Sequence, residues 1–359
     1  MNSATTAQHH HIAHLNAFRG FAILNVIGAH AWTSLMFRVG GFEMADTMRE
    51  LYALIQMLFH DSTIYFAVIS GLLFSKVLRG RPWQTFYRNK LKNVIAPYVL
   101  LSVFFLTVLW DWYLGYASSN GLPTDYPGAL LRGLLQGQTL PHFWYIPVLT
   151  ILFVLTPALD AIAQRPRLRW LAALIAVAPL LISRTGIDQP VSIQSVVYFC
   201  GAYFVGMVMG QHYQPLLSLI AGNLNRLLLL IASSSMAIYA LYASGYKATG
   251  LLSYSESLFY LQKLAITALV LYVFCRREAV LPRLLHSLGN YAFSIYFLHL
   301  VFVFLCARLL EAPIRDHQSS LLMLAGGALV MLVSAALTLG LSMLLKRLLR
   351  RHSRLVIGS

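Results

Sequence analysis

Ten runs of this chain come close to the length and apolarity that a bilayer demands of a helix. Crossing the hydrocarbon takes about 20 mostly apolar residues. The runs lie near 16–37, 51–75, 93–114, 143–163, 168–184, 194–212, 225–244, 258–275, 289–310 and 320–345. Gly, Pro and clusters of charge separate them. The expectation is an all-α, polytopic transmembrane helix bundle of about ten spans. No inverted internal repeat of the kind that builds many secondary transporters is seen.

Composition excludes a soluble alternative. Hydrophobic residues make up 58% of the 359 and charged residues only 11%, against about a quarter charged in soluble domains. The net charge of +15 does not point to nucleic acid, whose binders show their cations on a solvated face among polar neighbours. Here Lys and Arg fall in short gaps between apolar runs, the pattern that orients a membrane protein. With both termini cytoplasmic, the inner side holds nineteen of the 27 Lys and Arg, and most acidic residues lie outside. An odd number of spans breaks that alternation.

Residues 1–15 are polar and rich in His (His9, His10, His11, His14) and lack Lys and Arg. They read as a disordered tail, not as the basic start of a secretory signal. Residues 16–347 form the transmembrane domain, and 348–359 a basic cytoplasmic tail. The longest outer loop, 115–142, contains the weakly amphipathic stretch Tyr126 to Leu135, a candidate short interfacial helix or lid. Cys200, Cys275 and Cys306 each sit inside an apolar run and read as packing residues, with no disulfide or zinc spacing.

An ionisable side chain in hydrocarbon is costly unless paired or hydrated, so intramembrane ones are functional candidates. Those here are Arg19 and His30 in the first run, His60 and Asp61 in the second, and His299 in the ninth. Arg19 and His30 are eleven residues apart, which on a helix is three turns plus roughly 20° and about 16 Å of rise, so they share one face. Asp61 falls at a depth close to that of His30, where a carboxylate is able to orient an imidazole. Between runs two and three, Lys76, Arg79, Arg81, Arg88, Lys90 and Lys92 pack six cations into seventeen residues. That density suits a polyphosphate or anionic lipid headgroups.

These residues also carry a resemblance. Leu15-Asn16-Ala17-Phe18-Arg19-Gly20, followed by Gly28-Ala29-His30, is similar to the LDGLRG…GH opening of the acyltransferase-3 family of membrane O-acyltransferases that modify bacterial surface polysaccharides. Ile69-Ser70-Gly71-Leu72-Leu73 resembles its ISGFL, and Phe86-Tyr87-Arg88-Asn89-Lys90-Leu91-Lys92 with Pro97 its FYxRR…P segment. His142-Phe143-Trp144-Tyr145 resembles HxWFL, and Leu288-Gly289-Asn290-Tyr291 to Ser294-Ile295-Tyr296-Phe297-Leu298-His299 the late LGxxSYxIYLxH signature. Asn16 stands where the family has Asp, and Asn89 and Asn93 where many members have Arg. The fused extracellular hydrolase-like domain of longer members is not expected here.

The resemblance implies a multi-pass protein of the bacterial cytoplasmic membrane that takes a short acyl group, acetyl first, from cytoplasmic acyl-CoA. The acceptor is a hydroxyl of a cell-surface or periplasmic glycan. His30 serves as base or acyl carrier with Asp61 beside it. Arg19, Lys76, Arg79, Arg88, Lys90 and Lys92 hold the donor, and His142, Trp144, Tyr145, Tyr296 and His299 line the acceptor side. No metal and no tightly bound cofactor are expected, and nucleic acid is not a partner. A proton-coupled transporter or flippase is the competing class, since buried His and Asp and a basic inner mouth would serve it too.

Overall fold

No water inside hydrocarbon satisfies backbone N–H and C=O groups, so a spanning segment pairs them within itself. In the computed structural model every regular element among the described residues is accordingly helical. The backbone is described for residues 3–41, 48–184, 189–248, 250, 252–315, 317 and 319–359, and the side chains from residue 13 onward. In chain order the helices are α1 (Ser3–Gly40), α2 (Arg49–Phe59), α3 (Thr63–Leu73), α4 (Trp83–Lys90), α5 (Ala96–Val108), α6 (Trp110–Asn120), α7 (Tyr126–Gln136), α8 (Tyr145–Gln164) and α9 (Arg169–Val177). They continue with α10 (Ile193–Gln211), α11 (Tyr213–Gly222), α12 (Leu224–Ala243), α13 (Tyr254–Arg276), α14 (Arg283–Asn290), α15 (Ala292–Arg315), α16 (Ser320–Leu349) and the single turn α17 (Ser353–Val356).

Nine stretches among the described residues are long and apolar enough to cross a membrane: 13–40, 49–78, 83–108, 145–164, 193–211, 224–243, 254–276, 292–315 and 320–356. They match nine of the ten runs. The exception is 168–184, which forms α9 and then a 3₁₀ turn, Ala178–Leu181, with Pro179 in its first turn. Pro removes a backbone donor and ends the α-helix. Nine α-helical and four 3₁₀ residues together rise only about 21 Å, short of the ~30 Å of hydrocarbon. Helix α7 falls on the amphipathic stretch of the outer loop, with Asp125 capping Gly128 N–H at 2.7 Å.

The polar tail expected over 1–15 falls partly on residues 1 and 2 and on the side chains of 3–12, all outside the described residues. From Ser3 the backbone belongs to α1. His14 is fully buried, with Nε2 2.6 Å from the Tyr213 hydroxyl and Nδ1 3.2 Å from Glu278 Oε2.

Small residues bring the central helices together. A Cβ on Gly71 would lie 1.9 Å from the Tyr203 carbonyl oxygen, and one on Gly206 2.0 Å from that of Val68, so α3 and α10 touch backbone to backbone. Gly20 meets the Leu285 carbonyl and Gly289 that of Asn16 in the same way, locking α1 against α14. Such approaches let membrane helices gain dispersion contact where the hydrophobic effect gives none. Asn16 completes this joint by donating to the His286 carbonyl and to Asn290 Oδ1, both at 3.0 Å.

The second span is broken at His60-Asp61-Ser62, where Asp61 adopts a left-handed φ of 55°. A helix end inside the bundle leaves carbonyls without partners. Lys263, fully buried on α13, donates to the Leu58 carbonyl at 3.0 Å, and Gln262 to that of Met57 at 3.1 Å. The Asp61 carboxylate accepts from Arg184 Nη2 at 2.7 and 2.8 Å and lies 3.0 Å from the Tyr198 hydroxyl. Arg184 N–H also donates to Glu256 Oε2 at 2.9 Å. Burial alone would lower the proton affinity of the Arg184 guanidinium, but Asp61, Tyr198 and Glu256 raise it above its ordinary value.

Removing one partner of a buried ion pair leaves the other uncompensated and costs about 3–5 kcal/mol. Asp61→Ala therefore lowers the unfolding temperature of the detergent-solubilised protein, and Asp61→Asn lowers it less because the amide still accepts from Arg184. An Asp61→Ala chain that melts with the wild type would remove this network from the account of stability.

Candidate active site

Helix α1 carries two of the expected residues to two different cavities. His30 lines one of about 1000 Å³, and Arg19 one of about 700 Å³. The register between them places the cavities about 16 Å apart along α1.

At His30 three imidazoles meet. The ring of His299 on α15 is 5.3 Å from that of His30, the ring of His142 on the turn before α8 is 6.1 Å away, and those two are 4.8 Å from each other. His299 Nδ1 lies 3.0 and 2.8 Å from the Ile295 and Tyr296 carbonyls, so it carries the proton and Nε2 keeps its lone pair. That Nε2 and both ring nitrogens of His142 have no hydrogen-bond partner among the described residues. Buried polar atoms are nearly always paired, so orphans of this kind mark the place of a ligand or water. Tyr296 steadies the cluster, its hydroxyl donating to the His142 carbonyl. His30 alone of the three faces the open cavity. No three His, Cys, Asp or Glu side chains among the described residues are arranged to hold a metal ion.

The cavity around Arg19 has the opposite character. Arg19, Arg81, Lys90, Lys346 and Arg354 line it, with Ser70, Thr85, Asn89, Asn93 and Asn290, and no Asp or Glu does. None of the five cations is within ion-pair distance of a carboxylate among the described residues. Arg19 and Lys90 instead lie against rings, 5.7 Å from the Phe293 centroid and 4.2 Å from that of Phe153. Five cations gathered without an acid repel one another, and an anion with several charges relieves that. Phe66, which lines this cavity, stacks edge to face at 6.5 Å on Tyr296, itself a ring neighbour of His142 and His299, and both are buried.

The other expected residues divide. Arg79 is committed to Asp160 at 2.6 Å, and Lys76 sits over the Tyr213 ring at 4.3 Å. Arg88 and Lys92 are exposed and outside the cavity. The pairing of Asp61 with His30 is corrected: Asp61 is held by Arg184, whose attraction no local feature of the sequence announced, while the ring neighbours of His30 are histidines. His60 packs on Phe259 at 4.6 Å. Trp144 and Tyr145 pack on Phe199 instead of facing the cavity at His30, where Phe37, Phe104, Phe105, Trp112 and Phe304 supply the aromatic lining. Phe37, Trp112, Lys346 and Arg354 lie at or beyond the ends of apolar runs, where aromatic belts and anchoring cations are ordinary, and Phe104 lies inside one, so none stood out in the sequence.

One family model, described as an acyltransferase domain, matches residues 12–347. No curated protein and no solved structure matches the chain. The match runs from within α1, seven residues before Arg19, almost to the end of α16, taking in every side chain of the histidine cluster. The chain therefore belongs to the acyltransferase-3 family, as an all-helical integral membrane acyltransferase.

Proposed function

We propose that the protein moves a short acyl group, acetyl first, from cytoplasmic acyl-CoA to a hydroxyl of an extracytoplasmic glycan in the bacterial cytoplasmic membrane. The observation that carries this reading is the pair of cavities on one face of α1: cations without acidic side chains at Arg19, imidazole nitrogens without partners around His30. The first suits the phosphates of CoA. The second suits an alcohol that has to lose a proton. The 16 Å or so between them is of the order of an extended pantetheine arm.

The acceptor O–H gives its proton to His30 while its oxygen bonds to the thioester carbon. The C–S bond then breaks and the departing thiolate takes that proton from His30, which returns to its neutral form. Transfer through an acyl group carried on His30 itself is the other route to the same products. His299 supplies a lone pair behind His30, positioned to hold a water or relay the proton. The Phe66–Tyr296 layer has to part for the arm to pass, and when closed it keeps the thioester from outer water. Both termini are assigned to the cytoplasm by the Lys and Arg distribution. With nine long helices among the described residues, that requires the α9 segment, too short to span by itself, to complete a tenth crossing together with the chain around it; its exposed Trp170, Leu174 and Leu181 suit contact with lipid.

His30→Ala is expected to lower acyl transfer at least about 10²-fold at normal membrane abundance, read as free thiol released from acetyl-CoA in the presence of acceptor glycan. Activity within twofold of wild type would refute a catalytic His30. A carrier would move solute with no thiol release at all. Arg19→Ala should raise the KM for acetyl-CoA about tenfold, and an unchanged KM would take Arg19 out of the donor site.

A further inference from the structure

The segment after α16 builds part of the cation cavity. At Arg350 the chain turns back with a left-handed φ of 46°, and α17 follows after one 3₁₀ turn. The reversal folds 353–358 under the bundle, against α5 and the π-helical turn Leu91–Ile95. Ser353 and Ile357 are 3% and 1% exposed, as buried as the bundle core. Gly358 holds a left-handed φ of 73°, and a Cβ there would lie 2.8 Å from the Asn93 carbonyl oxygen and 3.2 Å from Phe293 Cβ. Only glycine satisfies both the angle and the space. A free basic tail needs none of these features.

We infer that residues 353–358 are a structural wall of the donor site, and that Arg354 is a ligand for the phosphates of the thioester donor. This rests on the proposed function for the donor's identity. The docked turn carries Arg354 to the cavity that Arg19 and Lys90 reach from two other segments, and Lys346 joins them from the end of α16. Lys346 lies 4.9 Å from the ring centroid of Tyr291, another lining residue. Cations arriving from four separate parts of the chain surround a volume instead of marking a strip, the arrangement a compact polyphosphate requires and a flat headgroup surface does not. The family match stops at residue 347. Arg354 lies outside the matched residues.

Binding of free coenzyme A to the purified full chain in detergent tests this, beside the KM and kcat for acetyl-CoA. Arg354→Gln, an exposed position that tolerates the change in folding, should weaken CoA binding and raise KM about tenfold with kcat within twofold. Gly358→Val should do the same by undocking the segment with Arg354 intact. Arg351→Gln, exposed and outside the cavity, should match wild type. Unchanged CoA affinity in both Arg354→Gln and Gly358→Val would overturn the inference and leave the proposed function standing. Failure of the wild-type chain to bind CoA would overturn the proposed function and this inference with it.

Discussion

The register of α1 is the constraint on which the rest depends. Eleven residues separate Arg19 from His30, and a helix turns that spacing into one face and two depths. The surroundings then give each depth its own chemistry. The Arg19 end meets cations from α4, α16 and α17 and no acidic side chain, while the His30 end meets imidazoles from α15 and from the turn before α8. Rigidity of α1 is thus a functional property. The glycine contacts of α14 against α1, and the Asn16 hydrogen bonds beside them, fix its inner end. Trp32, with its indole donating to the Leu324 carbonyl and its ring stacked on Phe59, holds the outer end.

The buried charges fall into two groups with opposite electrostatics. Around the break in the second span, Asp61, Arg184, Glu256 and Lys263 satisfy one another or free helix carbonyls. Such a closed network is costly to disturb and offers a substrate no open valence. The histidine cluster and the cation cavity are the reverse, with orphan nitrogens in one and unpaired cations in the other. The two cavities beside α1 thus keep polar capacity that the network around Asp61 has largely spent.

Much of the fold was legible because hydropathy over spanning length is a local property. The fifth run gives no single spanning helix, because Pro179 lies inside an otherwise apolar stretch and a window average does not register it. Arg19 and His30 were legible because both lie on one helix, so their geometry follows from periodicity alone. The partner of Asp61 was not, since Arg184 stands 123 positions away and is brought there only by tertiary packing. For the same reason His14 read as part of a polar tail, although Tyr213 and Glu278 bury it. Of the six cations between the second and third runs, only Arg81 and Lys90 reach the cavity. Charge density showed that the region is basic; which of its side chains turn inward depends on Asp160, Tyr213 and Phe153 as competing partners.

The most direct test separates the two substrates across a bilayer. Purified protein is reconstituted into sealed vesicles in a single orientation, with labelled acetyl-CoA only on the side of Arg354 and acceptor glycan only on the other. The account predicts label on the glycan, with free thiol left on the donor side. Label transferred only when both substrates share one side would contradict a path along α1 from the cation cavity to His30.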